Sequence, residues 1–203
     1  MIGWFILACV ISYLLGSVPF ALVIGKVFFK TDIRKAGSGN LGGGNAGRVL
    51  GAKAGLAVMT LDILKVTLAI YLASLMPGTE LLLVAAGLSA AIGHCFPLFA
   101  KFKGGKAVAT MYGFLFGMMV IAGYSPLIFF LPLIVFLIIL YLTKIIALSS
   151  IGSALGVTLY LWISVGFSPI VAALLVFDVL MIWRHRANLE RIAKHQENKI
   201  KWM

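Results

Sequence analysis

Acidic residues are scarce in this 203-residue chain: six Asp and Glu stand against seventeen Lys and Arg, for a formal net charge of +11. Charged residues of both signs make up only 11% of the sequence and 62% is hydrophobic, against about 45–50% apolar in soluble domains. So apolar a chain has no soluble domain on which to present a cationic surface, and nucleic acid is excluded as a partner. Cysteine is nearly missing. Cys9 and Cys95 each stand alone in apolar sequence, which excludes a disulfide framework and a zinc site built on paired thiols. No low-complexity tract, internal repeat, or carbohydrate, nucleotide or metal motif is present. The first apolar stretch also lacks the basic start of a signal peptide and carries Lys26, Lys30, Arg34 and Lys35 at its far end, so it reads as an uncleaved membrane helix.

What the chain does have is apolar runs of membrane-crossing length. A helix crosses the hydrocarbon core with roughly 17–25 apolar residues, and this ruler divides the chain into about seven spans. They are expected near Ile2 to Phe29, Ala54 to Met76, Leu81 to Phe99, Ala107 to Gly123, Leu127 to Leu142, Ile145 to Val165 and Ser168 to Trp183. The connections at Pro77-Gly78, Gly123 to Pro126 and Gly166 to Pro169 are turn chemistry without Lys or Arg. The others, Lys30 to Lys53, Lys101 to Lys106, Thr143-Lys144 and the tail from Arg184, are basic. Every Lys and Arg except Lys65 therefore falls on one face, which the positive-inside bias assigns to the cytoplasm. The expected fold is an all-α integral membrane protein, one domain over residues 1–203, with its N-terminus outside and its C-terminus cytoplasmic.

Four constellations carry possible chemistry. Gly37-Ser38-Gly39-Asn40 runs through three further glycines to Asn45 and Arg48, and glycines allow several backbone amides to face one anion. The plainer reading is a flexible turn before a span. Gly93-His94 leads through Phe102 to Lys103-Gly104-Gly105-Lys106, where two lysines bracket a glycine pair just before a helix start that favours an anion. Those lysines also serve topology alone. His94 either acts as a base or orients the loop by hydrogen bonding. Ser149, Ser150 and Ser153 either let helices pack closely or line a polar entry. His185 and Asn188 follow the last span and share a face if its helix continues; a basic tail on anionic lipid is the alternative. Glu190, five residues after His185, points elsewhere on a straight helix, which argues against a soluble-type His and carboxylate acyltransferase motif. Within the spans, Asp62 and Lys65 are spaced to pair, and Asp178 needs a partner from another helix.

Taken in order, Gly37-Ser38-Gly39-Asn40 with Asn45 and Arg48, Gly93-His94 through Lys106, and His185 to Asn188 resemble the bacterial acyl-phosphate:glycerol-3-phosphate acyltransferase family over nearly the whole chain. The resemblance implies a seven-span enzyme of the bacterial cell membrane with a cytoplasmic active site and no cofactor or metal. It implies transfer of a fatty acyl group from acyl phosphate to the sn-1 hydroxyl of glycerol 3-phosphate, with membrane lipids as surroundings. Carried across by position, Ser38, Arg48, Lys106, His185 and Asn188 are the implied catalytic or glycerol-3-phosphate residues. Gly37, Gly39, Asn40, Asn45, Lys103, Gly104 and Gly105 are implied phosphate contacts, with His94, Ser150 and Glu197 in a second tier. The chain departs from the family pattern at Gly43 and Gly44 (more often Ala-Thr), Ala107 (usually Gly), Ala147 (commonly Ser), and His195-Gln196 (often Gly-Thr).

An acyl phosphate is already activated, so no acyl-enzyme nucleophile is required, and no carboxylate is placed to complete a Ser-His-Asp set with Ser38. Cations that offset the repulsion of two phosphates, at roughly −1.5 to −2 charge each, are the main chemical need. The proton of the attacking hydroxyl goes to a substrate phosphate or to His185. The rival functions are a transporter of a phosphorylated solute, for which Asp62, Lys65 and Asp178 would mark a path, and a lipid-binding scaffold.

Overall fold

The structure, a computed structural model, describes residues 2–200, and every regular element among them is helical. Lys201, the last cation of the basic tail, lies outside the described residues. The chain packs as two compact units that divide after Gly123.

In the first unit the expected opening span is two helices, α1 (Ile2–Gly16) and α2 (Phe20–Phe29). Pro19 has no N–H to continue the ladder, and the backbone turns through Ser17 and Val18 before α2 begins. After the loop that follows come α3 (Gly43–Leu50), α4 (Ala52–Ser74), α5 (Glu80–Cys95) and α6 (Val108–Ala122). The glycine-rich segment is thus only half loop, because Gly43 and Gly44 open a short helix. Gly47 of α3 lies so close to Gly55 of α4 that a side chain at Gly55 would strike its backbone. Helix α4 packs on all the other helices of this unit and buries Val58, Asp62, Lys65, Val66, Ala69, Ile70 and Ala73. That spacing of three and four residues is one continuous helical stripe. Helices α1 and α5 meet through small residues, with Gly16 against Ala90 and Gly93 against Tyr13. The Tyr13 hydroxyl then donates to Phe96 O at 2.8 Å, tying the end of α5 to α1.

The second unit holds α7 (Leu127–Thr143), α8 (Ile146–Val165), α9 (Pro169–Arg184) and α10 (Arg186–Ala193). Helix α8 packs between α7 and α9. Its buried Ser149, Ser150 and Ser153 return their hydroxyls to the carbonyls of Ile145, Ile146 and Ser150 at 2.8–2.9 Å. A hydroxyl satisfied on its own helix lets a neighbour approach closely, so these positions serve packing. Buried Asp178 of α9 has Thr158 of α8 beside it, but that hydroxyl donates to Ala154 O at 3.0 Å.

Large apolar side chains cover the outer faces, among them Leu56, Leu68, Ile134, Ile138, Leu159 and Ile163. Among the described residues four helical segments, Ile2–Phe29, Ala52–Ser74, Glu80–Ala100 and Ile146–Val165, are long and apolar enough to cross a membrane. Helices α6, α7 and α9 have 15, 17 and 16 residues. At a rise of 1.5 Å per residue these reach roughly 22–26 Å, short of a ~30 Å hydrocarbon core.

Candidate active site

The loop before α3 begins with an ion pair. Arg34 donates to Asp32 through Nε at 2.9 Å and through a terminal nitrogen at 2.6 Å. The hydrogen bond from Arg34 holds the Asp32 carboxyl well below the usual carboxylate range, so this guanidinium stays neutralised at physiological pH. Arg48, in the last turn of α3, is exposed and makes no such pair among the described residues.

Asn45 holds the loop in shape. Its buried amide donates to Ile33 O at 3.1 Å and Ala36 O at 3.2 Å, and its Oδ1 accepts from Ser38 N at 2.8 Å. The expectation of a phosphate contact at Asn45 changes accordingly, since its donors are committed to the backbone. Gly37 and Gly39 take positive φ (59° and 68°), and a side chain at Gly37 would collide with Asn45 Oδ1. The result is a pinned turn that presents Ser38 and Gly37 to the surface, with Asn40 half-buried beside them.

The second constellation is built against a buried cluster. Gly105 N donates to His94 O at 3.0 Å, and Gly104 is so close to the same carbonyl that a side chain there would strike it. Gly104 and Gly105 are buried, whereas Lys103 is exposed and Lys106 is half-buried. Ala107 then takes φ 63°, left-handed backbone that a glycine adopts without strain, before α6 starts at Val108. His94 Nδ1 lies 3.1 Å from Lys65 Nζ, which is 2.7 Å from Asp62 Oδ1. The pairing expected of Asp62 and Lys65 is present. Its extension to His94 was invisible in sequence, because 29 residues separate Lys65 from His94.

In the second unit, α9 does not continue straight past Arg184. His185 leaves the helix with φ −97° and ψ 4°, and α10 starts anew at Arg186. The expected continuous helix is corrected at this residue. His185 and Asn188 are both buried, and Asn188 N donates to His185 O at 2.8 Å. His185 Nδ1 is 2.9 Å from Met181 O, and a carbonyl only accepts, so Nδ1 carries the hydrogen and Nε2 is the basic nitrogen. Asn188 Nδ2 donates to Glu197 Oε1 and Arg191 Nε to Glu197 Oε2, both at 2.7 Å. Ile200 N donates to Lys144 O at 2.9 Å, so the tail returns to the connection between α7 and α8. Glu190 is exposed; the carboxylate brought to Asn188 is Glu197. Ser150 commits its hydroxyl to Ile146 O. Among the described residues no group of His, Cys, Asp and Glu is placed to hold a metal ion.

A family profile described as glycerol-3-phosphate acyltransferase matches residues 6–195. The glycerol-3-phosphate acyltransferase of Geobacillus kaustophilus is 46% identical over 198 residues, covering 97% of this chain and 96% of the relative. That of Bacillus subtilis is 46% identical over 198 residues, with 97% and 98% covered. The crystal structure of PlsY (YgiH), an integral membrane glycerol 3-phosphate acyltransferase, in its glycerol 3-phosphate form superposes with a TM-score of 0.88 at 33% identity, covering 97% of this chain and 96% of that one. Its lysphosphatidic acid form gives 0.86 at 32% identity, with 97% and 95% covered. With a profile match over nearly its whole length and relatives of this similarity, the chain belongs to the glycerol-3-phosphate acyltransferase family.

Proposed function

We propose that this chain is an integral enzyme of a bacterial cell membrane that transfers a fatty acyl group from acyl phosphate to the sn-1 hydroxyl of glycerol 3-phosphate. The products are lysophosphatidic acid and inorganic phosphate, and residues 1–203 serve this one reaction. The observation that carries the reading is the family match over residues 6–195, within which the basic glycine segments of the sequence fall. The proposed topology has seven spans, the N-terminus outside and the active site on the cytoplasmic face, supported by the placing of every Lys and Arg but Lys65 in one set of connections or, for Lys26, at the end of the span that leads into them.

The roles follow from charge. Two phosphorylated substrates repel one another, and Arg48, Lys103 and Lys106 offset that repulsion. Ser38, with the turn of Gly37, Gly39 and Asn40, and Asn188 orient glycerol 3-phosphate, and Gly104 and Gly105 let backbone approach the donor phosphate. The hydroxyl of glycerol 3-phosphate attacks the acyl carbonyl, the bond to the phosphate leaving group breaks, and the hydroxyl proton goes to His185 Nε2 or to a substrate phosphate. Proximity and preorganised donors supply most of the acceleration, so no covalent acyl-enzyme is needed. Apolar outer faces keep the acyl chain in lipid while its phosphate meets the water-soluble acceptor.

The decisive experiment gives the purified chain, in lipid, acyl phosphate and glycerol 3-phosphate. Release of phosphate with formation of a monoacyl product is expected, and acyl-CoA is not expected to replace the donor. Solute flux without a covalent product would overturn the reading in favour of a transporter.

A further inference from the structure

Lys101 and Phe102 are consecutive residues with left-handed backbone, φ 55° and 58°. Side chains disfavour that region and glycine enters it freely, yet a chain with 22 glycines in 203 residues places none here. Backbone bonds hold the turn: Pro97 O accepts from Ala100 N at 3.1 Å and from Phe102 N at 2.9 Å, and Ala100 O accepts from Lys103 N at 3.2 Å. Ala100 is the inward residue, buried in a cluster with Ile33, Leu41 and Ala46. The turn is thus fixed to the core, and its strained backbone presents Phe102 outward.

The exposed residues of this turn are of two kinds. Leu98, Phe99 and Phe102 are 47%, 58% and 54% exposed, and Lys101 among them is exposed as well. Among the described residues Lys101 forms no ion pair, and the sequence holds no Asp or Glu between Glu80 and Asp178. The turn closes Glu80–Ala100, a helical segment long and apolar enough to cross a membrane, so it lies where such a span leaves the hydrocarbon. Aromatic rings gather at that depth, and an ammonium there meets lipid phosphates. Two exposed phenyl rings in water would gain nothing to offset the strain; at a lipid surface they bury apolar area.

We infer that Leu98, Phe99, Lys101 and Phe102 form an interfacial anchor that seats this turn in an anionic phospholipid leaflet and so holds the adjoining Gly104–Gly105 segment at headgroup depth. This rests on the reading of that segment as the donor's phosphate site at the inner face. An acyl phosphate keeps its tail in lipid and its phosphate among the headgroups, so a loop held at that depth receives it sideways from the leaflet. The rings supply insertion and Lys101 the preference for anionic headgroups. Gly104 follows Phe102 by two residues, so the glycine pair is carried to the same depth.

The test uses the full chain in lipid vesicles with a nitroxide on Phe102→Cys, in a background of Cys9→Ala and Cys95→Ala. In vesicles containing phosphatidylglycerol the label is expected to collide with oxygen more than with a water-soluble nickel chelate, as a group at the headgroup boundary does. In phosphatidylcholine alone, or with Lys101→Gln added, that preference is expected to fall. A label as open to the chelate as one in water overturns the inference, and so does a depth that neither lipid charge nor Lys101→Gln alters. If the labelled Phe102→Cys chain does not fold, the same measurement at Phe99→Cys decides. The activity arm pairs Phe99→Asn with Phe102→Asn, because asparagine visits left-handed backbone and the turn keeps its shape. The KM for palmitoyl phosphate is expected to rise about tenfold, the scale of one ring leaving apolar contact, while kcat and the KM for glycerol 3-phosphate change far less. An unchanged KM for palmitoyl phosphate overturns the inference. Absence of monoacyl product from the unaltered protein would instead sink the acyl-phosphate reading, and the label depth would then judge the anchor by itself.

Discussion

The two buried histidines are set up in different ways. His94 Nδ1 meets the Lys65 side-chain nitrogen at 3.1 Å, beside the carboxylate of Asp62; His185 Nδ1 meets a backbone carbonyl at 2.9 Å, which keeps the hydrogen on Nδ1 and leaves Nε2 basic. The difference teaches that residue type alone does not assign a histidine its chemistry: the partner on the far nitrogen does. It also separates the regions by what supports them, a charged cluster on two helices around His94 and a helix break with a returning tail around His185.

The largest expected effect tests the accepting side. His185→Ala should lower turnover by about 100-fold or more if Nε2 takes the hydroxyl proton, the usual range for acid–base catalysis, measured as initial phosphate release. Unchanged turnover would move the base to a substrate phosphate and leave His185 without that distinction. Next is the contact of His94 with the glycine segment. Gly105→Ala places a methyl on His94 Nε2, and the ring and loop must separate, so a loss of about 1–3 kcal/mol in stability and a clear fall in kcat/KM are expected. Wild-type kinetics in that variant would show that the contact of ring and loop is incidental.

A smaller effect probes the tail. Glu197→Ala leaves Asn188 and Arg191 without their shared carboxylate, and because Arg191 is 41% exposed on its side chain, solvent screens part of the loss. A stability change near 1 kcal/mol and a few-fold rise in KM for glycerol 3-phosphate are expected. The smallest concerns Ala107. Ala107→Gly relieves left-handed strain but deletes a buried methyl, two terms of about 1 kcal/mol each with opposite sign, so the melting temperature should barely move. A helical alanine replaced by glycine would instead lose about 1 kcal/mol, which makes the comparison readable.

Much of the helical layout is legible in the sequence because apolar length is a local property. The turns at Pro77-Gly78 and Gly123 to Pro126 separate helices as their residues require. Pro19 was equally visible, yet the first run was read as unbroken because hydropathy averages over a single interruption. Asn45 looked like a ligand contact for the same reason that it is a good pin: an amide that can donate twice and accept once suits either use. The seven-residue step to Ser38 gives no way to choose between them.

Residue by residue, the chain by itself determined where apolar helices form, which connections carry the cations and that Asp62 and Lys65 share a helix face, since these follow from composition and helical period. Only the tertiary structure decided that His94 joins that pair, that Glu197 rather than Glu190 meets Asn188, and that a backbone carbonyl meets His185 Nδ1. Those outcomes depend on distances of about 3 Å between residues that are far apart along the chain, or on a backbone that stops being helical at one residue. No local periodicity encodes them.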